Sequence, residues 1–225
     1  MKVELSSTQR AAMHAALGEP GRLAIVDALA LTDASPSELG RVLGMPSNLL
    51  AHHLGVLESA GIIVRGRSEA DRRRTYVQLS PDAFGFAAPP TPQHVPRVVF
   101  VCTQNSARSQ LATALWTGRA VLPAASAGTR PAPSVHPRAV STARRHGLEL
   151  RRAATAHVRD VVRPGDLVVA VCDHAYEELA GDDAPQLHWS VPDPARSGST
   201  AAFDQTFDIL SDRVGRLAGA LESRD

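Results

Sequence analysis

The segment Cys102-Thr103-Gln104-Asn105-Ser106-Ala107-Arg108-Ser109 holds the residue types and spacing in this chain that most directly imply chemistry. It follows the apolar run Arg97 to Val101 and precedes a helical pattern that begins near Ala107 with Leu111, Ala114 and Leu115. The run predicts a strand and the pattern a helix, so Cys102 is expected at a strand-to-helix turn. A thiol at a helix N-terminus, among inward-pointing backbone N–H groups, ionises more readily than a free one and becomes a nucleophile. The same N–H groups make a nest for a tetrahedral oxyanion, which gives Thr103, Gln104, Asn105, Ser106, Ala107, Arg108 and Ser109 as its binding residues. Arg108 can fold back and grip two oxygens with its planar fork, as lysine cannot. Ser109 is placed to donate a hydrogen bond to the thiolate. Asn105 is one of the few non-glycine residues that tolerate the left-handed backbone a tight loop requires.

A nucleophile that forms an adduct with an oxyanion must expel an oxygen, and that oxygen needs a proton. Asp193 follows the strand-like run Gln186 to Val191 and sits in a proline-bounded loop, so it is the candidate general acid; the plainer alternative is a turn residue. Cys172 ends the apolar run Asp166 to Val171, which reads as a buried strand. It is therefore expected at the same carboxyl edge of a parallel sheet as Cys102, where open α/β sheets place their sites. Its alternative is a small buried hydrophobe.

The loop, followed later by Asp193-Pro194, resembles the low-molecular-weight protein tyrosine phosphatases over roughly residues 96 to 222. The resemblance implies a parallel four-stranded sheet with helices on both faces. That family includes phosphatases and thiol-dependent arsenate reductases, and two departures look like the reductase branch. Gln110 stands where phosphatases typically have proline, and Asp193-Pro194-Ala195 lacks the tyrosines that phosphatases place after the acid. In thioredoxin-linked reductases a second cysteine at the position of Cys172 attacks the first. The third cysteine usual there is missing, since Glu177, Glu178 and Leu179 stand in its place. The resemblance thus implies arsenate reduction by Cys102, Arg108, Asp193 and Cys172, with an external thiol reductant such as mycothiol or the thioredoxin system and no metal or organic cofactor. Phosphomonoester hydrolysis, and a non-catalytic oxyanion or redox sensor controlling DNA binding, remain as rival readings.

The elements before this region differ in kind. Residues 6–17, 20–31 and 36–43 read as helices, the third with Ser35 as cap and Gly44 as stop. A fourth opens at Pro46 or Ser47 and ends at Gly61, and on it Leu50, Leu54 and Leu57 share one face while Asn48, Ala51 and His52 face outward. Ile62 to Arg65 and Thr75 to Leu79 read as a hairpin with a basic tip, which outlines a winged helix-turn-helix. Ser47, Asn48, Ala51 and His52 would meet DNA bases while Arg72, Arg73 and Arg74 meet phosphates. The stretches SPSELGRVLGMPSNLLAHHLGVLESAGII and DRRRTYVQLS resemble the ArsR-type winged-helix repressors. That resemblance implies a homodimer formed partly by residues 6–17 and an operator DNA partner. No cysteine precedes Cys102, so a thiolate arsenite or zinc site is not expected in this half, and His52 with His53 reads as one solvated and one packed side chain.

Residues 81 to 96 carry Pro81, Pro89, Pro90, Pro92 and Pro96, which predicts a stiff connector without packed structure. The expected organisation is a DNA-binding domain at 1–84, a linker at 85–95 and an α/β domain at 96–225. The 24 cations are all arginine except Lys2, and the net charge of +1 gives no ground for nucleic-acid binding without clustering. With two cysteines no disulfide framework exists, and no apolar run approaches the roughly 18 residues of a membrane span. A soluble cytoplasmic protein without a membrane partner is expected.

Overall fold

Serine caps set the first helices. Ser6 and Ser35 each accept from a backbone N–H three residues on while Gln9 and Glu38 reach back to the capping residue's own N–H, opening α1 (Ser7–Leu17) and α3 (Pro36–Leu43) with capping boxes. Between them, α2 (Pro20–Ala28) is capped by the Glu19 carboxylate. Gly44, at φ 63°, ends α3 in the left-handed conformation that glycine adopts without steric cost. Then follow α4 (Ser47–Ser59), β1 (Ile63–Arg67) and β2 (Thr75–Leu79), the strands pairing antiparallel from Ile63 opposite Leu79 to Arg67 opposite Thr75.

This computed structural model describes residues 5–87, 95–150, 154–179 and 186–222. The chain divides into two units, residues 1–68 with 72–90 and residues 69–71 with 91–225. In the first, Leu50, Leu54 and Leu57 are buried with Ile25, Val26, Leu39, Ile62 and Val77. Burial of each such side chain contributes on the order of 2 kcal/mol. Two expectations are corrected. The second helix stops at Ala28 rather than residue 31, with Leu29 as its cap and Leu23 left partly exposed. The first part of the proline-rich stretch is packed structure: Pro81–Phe86 forms a 3₁₀ helix whose Ala83 is buried and whose Phe86 lies against the same core. Proline fixes the backbone angle that opens such a turn, and apolar Ala83 and Phe86 supply its contact with the core. Pro89, Pro90 and Pro92 lie outside the described residues.

The second unit is a parallel four-stranded sheet in the order β4 (Ala124–Gly128), β3 (Val98–Cys102), β5 (Leu167–Ala170), β6 (Leu187–His188). Every residue of β3 is buried, as the apolar run demands. Around the sheet lie α5 (Arg108–Thr117), α6 (Pro137–Arg145), α7 (Val158–Val161), α8 (Asp173–Glu178), α9 (Pro194–Ser197) and α10 (Thr200–Glu222), with α10 packed on α5 and α6. The run Gln186 to Val191 is extended for only two ladder residues, Leu187 and His188, at the β6 edge of the sheet.

Candidate active site

Cys102 is the last residue of β3, and α5 begins six residues later at Arg108. The loop between them is held from outside. Its carbonyls at Cys102, Thr103, Gln104 and Ser106 accept from the backbone N–H groups of Thr129, Arg130, Ala132 and His136 at 3.2, 2.8, 3.0 and 2.8 Å. In a trans peptide the C=O and the following N–H point in opposite directions. Carbonyls turned toward the 129–136 segment therefore leave the loop amides facing the other way, where an anion can take them.

Side chains complete the loop. Asn105 has φ 50°, the left-handed conformation expected of it, and is the one non-glycine residue with positive φ among those described. Its Oδ1 accepts from Ala156 N at 2.9 Å and its Nδ2 donates to Ser109 Oγ at 2.9 Å. Ser109 Oγ lies 3.1 Å from Cys102 Sγ. The Asn105 amide takes one acceptor position on that oxygen and leaves the serine proton free for the sulfur, which as a thiolate can only accept. Gln110 Nε2 donates to the Asn105 carbonyl at 3.1 Å, a contact that a proline there could not make.

Arg108 is buried, and its Nη1 donates to the Val191 carbonyl at 2.9 Å while Nη2 lies 3.2 Å from Asp193 Oδ2. Burial opposes its charge, but the sulfurs of Cys172 and Cys102 and the Asp193 carboxylate outweigh it and raise the guanidinium above its ordinary value. Asp193 is about one-third exposed and caps α9 by accepting from Ala195 N at 3.1 Å. Cys172 lies beyond the end of β5 and caps α8, its sulfur 3.4 Å from Ala175 N and 3.5 Å from Thr103 Oγ1. Burial pushes its thiol up against the opposing pull of Arg108. The expected nucleophile, oxyanion residues, arginine, acid and second thiol thus meet at the carboxyl edge of one sheet. A cavity of about 360 Å³ opens over Cys102, Thr103, Gln104, Arg108 and Asp193.

Residues 97–225 match the model of the low molecular weight phosphotyrosine protein phosphatases. The chain belongs to that family. Residues 17–66 match a helix-turn-helix domain, so the phosphatase-family domain is fused to a helix-turn-helix domain. The arsenate reductase of Halalkalibacterium halodurans is 29% identical over 133 residues, covering 54% of this chain and 94% of that protein. The arsenate reductase of Brevibacillus brevis is 30% identical over 128 residues, covering 54% and 92%. A crystal structure of a YwlE mutant from Bacillus subtilis has a TM-score of 0.50 at 26% identity, covering 56% of this chain and 99% of that one.

Three cavity residues of the phosphatase-family domain escaped the sequence reading: Arg130, His174 and Arg196. The signal was available for two of them, since Arg130 follows the end of β4 and His174 the end of β5, and strand ends are where such sheets place their sites. Among the described residues no group of three or more His, Cys, Asp or Glu is arranged to hold a metal, and no helix is long and apolar enough to cross a membrane. In the other unit Ser47, Asn48, Ala51 and His52 are exposed along α4 while His53 is buried, and Arg72, Arg73 and Arg74 are exposed between β1 and β2.

Proposed function

We propose that the chain joins an ArsR-type operator-binding repressor, residues 1–84, through a linker, residues 85–95, to a thiol-dependent arsenate reductase, residues 96–225. The observation that carries the reductase reading is the second thiol: Cys172 Sγ lies 3.5 Å from Thr103 Oγ1, the hydroxyl of the residue next to Cys102. A hydrolase needs water for its second step, whereas a reductase needs a sulfur. The cavity lining supports the same choice. It carries Arg130, His174 and Arg196 and, among the described residues, no Phe, Tyr or Trp on which an aryl phosphate could stack.

Arsenate binds the loop amides and Arg108, and the Cys102 thiolate attacks arsenic. Asp193 supplies the proton with which an arsenate hydroxyl leaves as water, so an S–As bond forms as an As–O bond breaks. A second thiolate, from Cys172 or from an external thiol such as mycothiol, then attacks Cys102 Sγ. The S–S bond forms, the electron pair of the S–As bond stays on arsenic, and As(V) leaves as As(III) while two thiols are oxidised to a disulfide. An external reductant restores the thiols, and no metal enters. In the first unit, Asn48, Ala51 and His52 read bases and Arg72 to Arg74 meet phosphates, in a homodimer to which α1 contributes.

One purified sample tests the enzyme reading: arsenate turnover with mycothiol or a thioredoxin system, measured beside hydrolysis of p-nitrophenyl phosphate. Arsenate turnover with weak hydrolysis is expected. Fast hydrolysis with no arsenate turnover would replace the reading with a phosphatase, and neither activity would favour an oxyanion sensor.

A further inference from the structure

Gly128 ends β4 in register with Cys102, its parallel neighbour on β3. Its φ is not in the left-handed region, so the backbone angle does not demand glycine here. Space does. A Cβ at this position would stand 2.8 Å from the Thr103 carbonyl oxygen, 2.9 Å from Asn105 N and 3.0 Å from Asn105 Cβ. Two of those atoms are backbone and the third is rooted on it, so none can swing aside. The far side is closed as well, because Gly128 N donates to Ala156 O at 2.8 Å while Ala156 N donates to Asn105 Oδ1 at 2.9 Å. Gly128 and Asn105 are thus clamped by the two ends of one residue, with no room for a methyl group between them.

We infer that Gly128 is a positioning residue whose missing side chain sets how tightly the Cys102 loop closes on its oxyanion. The inference rests on reading that loop as an oxyanion seat. If a side chain were added, β4 would be the slower of the two to yield, since five residues from Ala124 to Gly128 are in register with β3. The loop from Thr103 to Asn105 belongs to no strand or helix and would move outward. Three things then change together: the Asn105 amide leaves its place in the nest, the Thr103 hydroxyl draws away from Cys172, and the left-handed turn that holds Ser109 against Cys102 loses its support from Ala156.

The test uses the full chain as wild type, as Gly128→Ala, and as Gly219→Ala. Gly219 is the matched control, an exposed α10 position where a Cβ would meet nothing within 4 Å. Inorganic phosphate is titrated into each by calorimetry, and near-ultraviolet circular dichroism follows the buried Trp116 and Trp189. Phosphate affinity should fall by about 10-fold or more in Gly128→Ala, as expected for a sub-ångström displacement of a preorganised site, with the tryptophan signal kept and Gly219→Ala unchanged. Equal affinity in wild type and Gly128→Ala would overturn the role of Gly128 alone. Absence of phosphate binding by wild type would overturn the oxyanion seat and the role of Gly128 with it. Loss of the tryptophan signal in Gly128→Ala would assign the glycine to the core, and that too would overturn a local role in the loop.

Discussion

Two helices of this chain begin in the same unusual way and are otherwise opposites. Around them α1, α2, α3, α6, α7 and α9 each have a capping side chain that accepts from the first turn. By contrast, α4 starts after Pro46 and α5 after Ala107, neither with a side-chain cap. An uncapped helix start leaves N–H donors and the positive end of the helix dipole to whatever anion arrives. In α4 the residues beyond that start, Ser47, Asn48, Ala51 and His52, are exposed; in α5 the first four, Arg108 to Leu111, are buried. An open start on an exposed face suits a large polyanion read by side chains, whereas an open start inside a closed loop suits a small oxyanion held by backbone and one arginine.

The sharpest way to break the comparison is to remove the sulfur that gives the buried start its chemistry. Cys102→Ser keeps the shape and loses the nucleophile, since a hydroxyl is not ionised at neutral pH. Turnover should fall by about a thousand-fold or more, with phosphate affinity and DNA binding retained. Steady-state kinetics that find more than a few per cent of wild-type turnover would take the nucleophile's role from Cys102. Arg108→Lys is the next step down. It keeps the charge but loses both the fork and the bond to the Val191 carbonyl, and catalytic efficiency should drop by about 100-fold. A near-normal value would mean that charge alone suffices at this position.

The exposed start is tested with salt. If Arg72, Arg73 and Arg74 meet phosphates, replacing all three with Ala weakens binding to every sequence and lowers the slope of log affinity against log salt by up to about 5 for the homodimer, in which each subunit brings its own wing. Filter binding at several salt concentrations measures it, and an unchanged slope would remove the wing from the interface.

The two regions were also legible to different degrees. On α4 the 3.6-residue period placed Leu50, Leu54 and Leu57 inward and Asn48, Ala51 and His52 outward, because one buried face is all that pattern needs. The Cys102 loop gave up its residues and even the backbone of Asn105, since few non-glycine side chains accept φ near 50°. What holds the loop was not legible. The 129–136 segment, Ala156 and Gly128 act through backbone atoms and through an absent side chain, and no residue type announces either. The 3₁₀ helix at Pro81–Phe86 is hidden in the sequence for a related reason: proline marks the end of regular structure, but only the neighbouring core decides whether a turn packs on it.

The smallest expected effect is none at all. Trivalent arsenic is a soft centre held best by three thiolates, and the chain has two cysteines, Cys102 and Cys172, both in the phosphatase-family domain. The helix-turn-helix unit therefore has no thiolate to offer, and its adjacent His52 and His53 supply imidazoles, of which one ring is buried and one exposed. Arsenite held by thiolates of this protein would have to occupy Cys102 or Cys172, so any such effect on DNA must begin in the other unit. Titrating arsenite into complexes of the full chain with a DNA fragment it binds should leave the Cys102→Ser/Cys172→Ser variant bound throughout. Release of wild type alone would show that the two units communicate through Cys102 and Cys172. Release of the doubly substituted protein at low arsenite would place a sensor on the exposed side of the comparison, where no residue with the required chemistry stands.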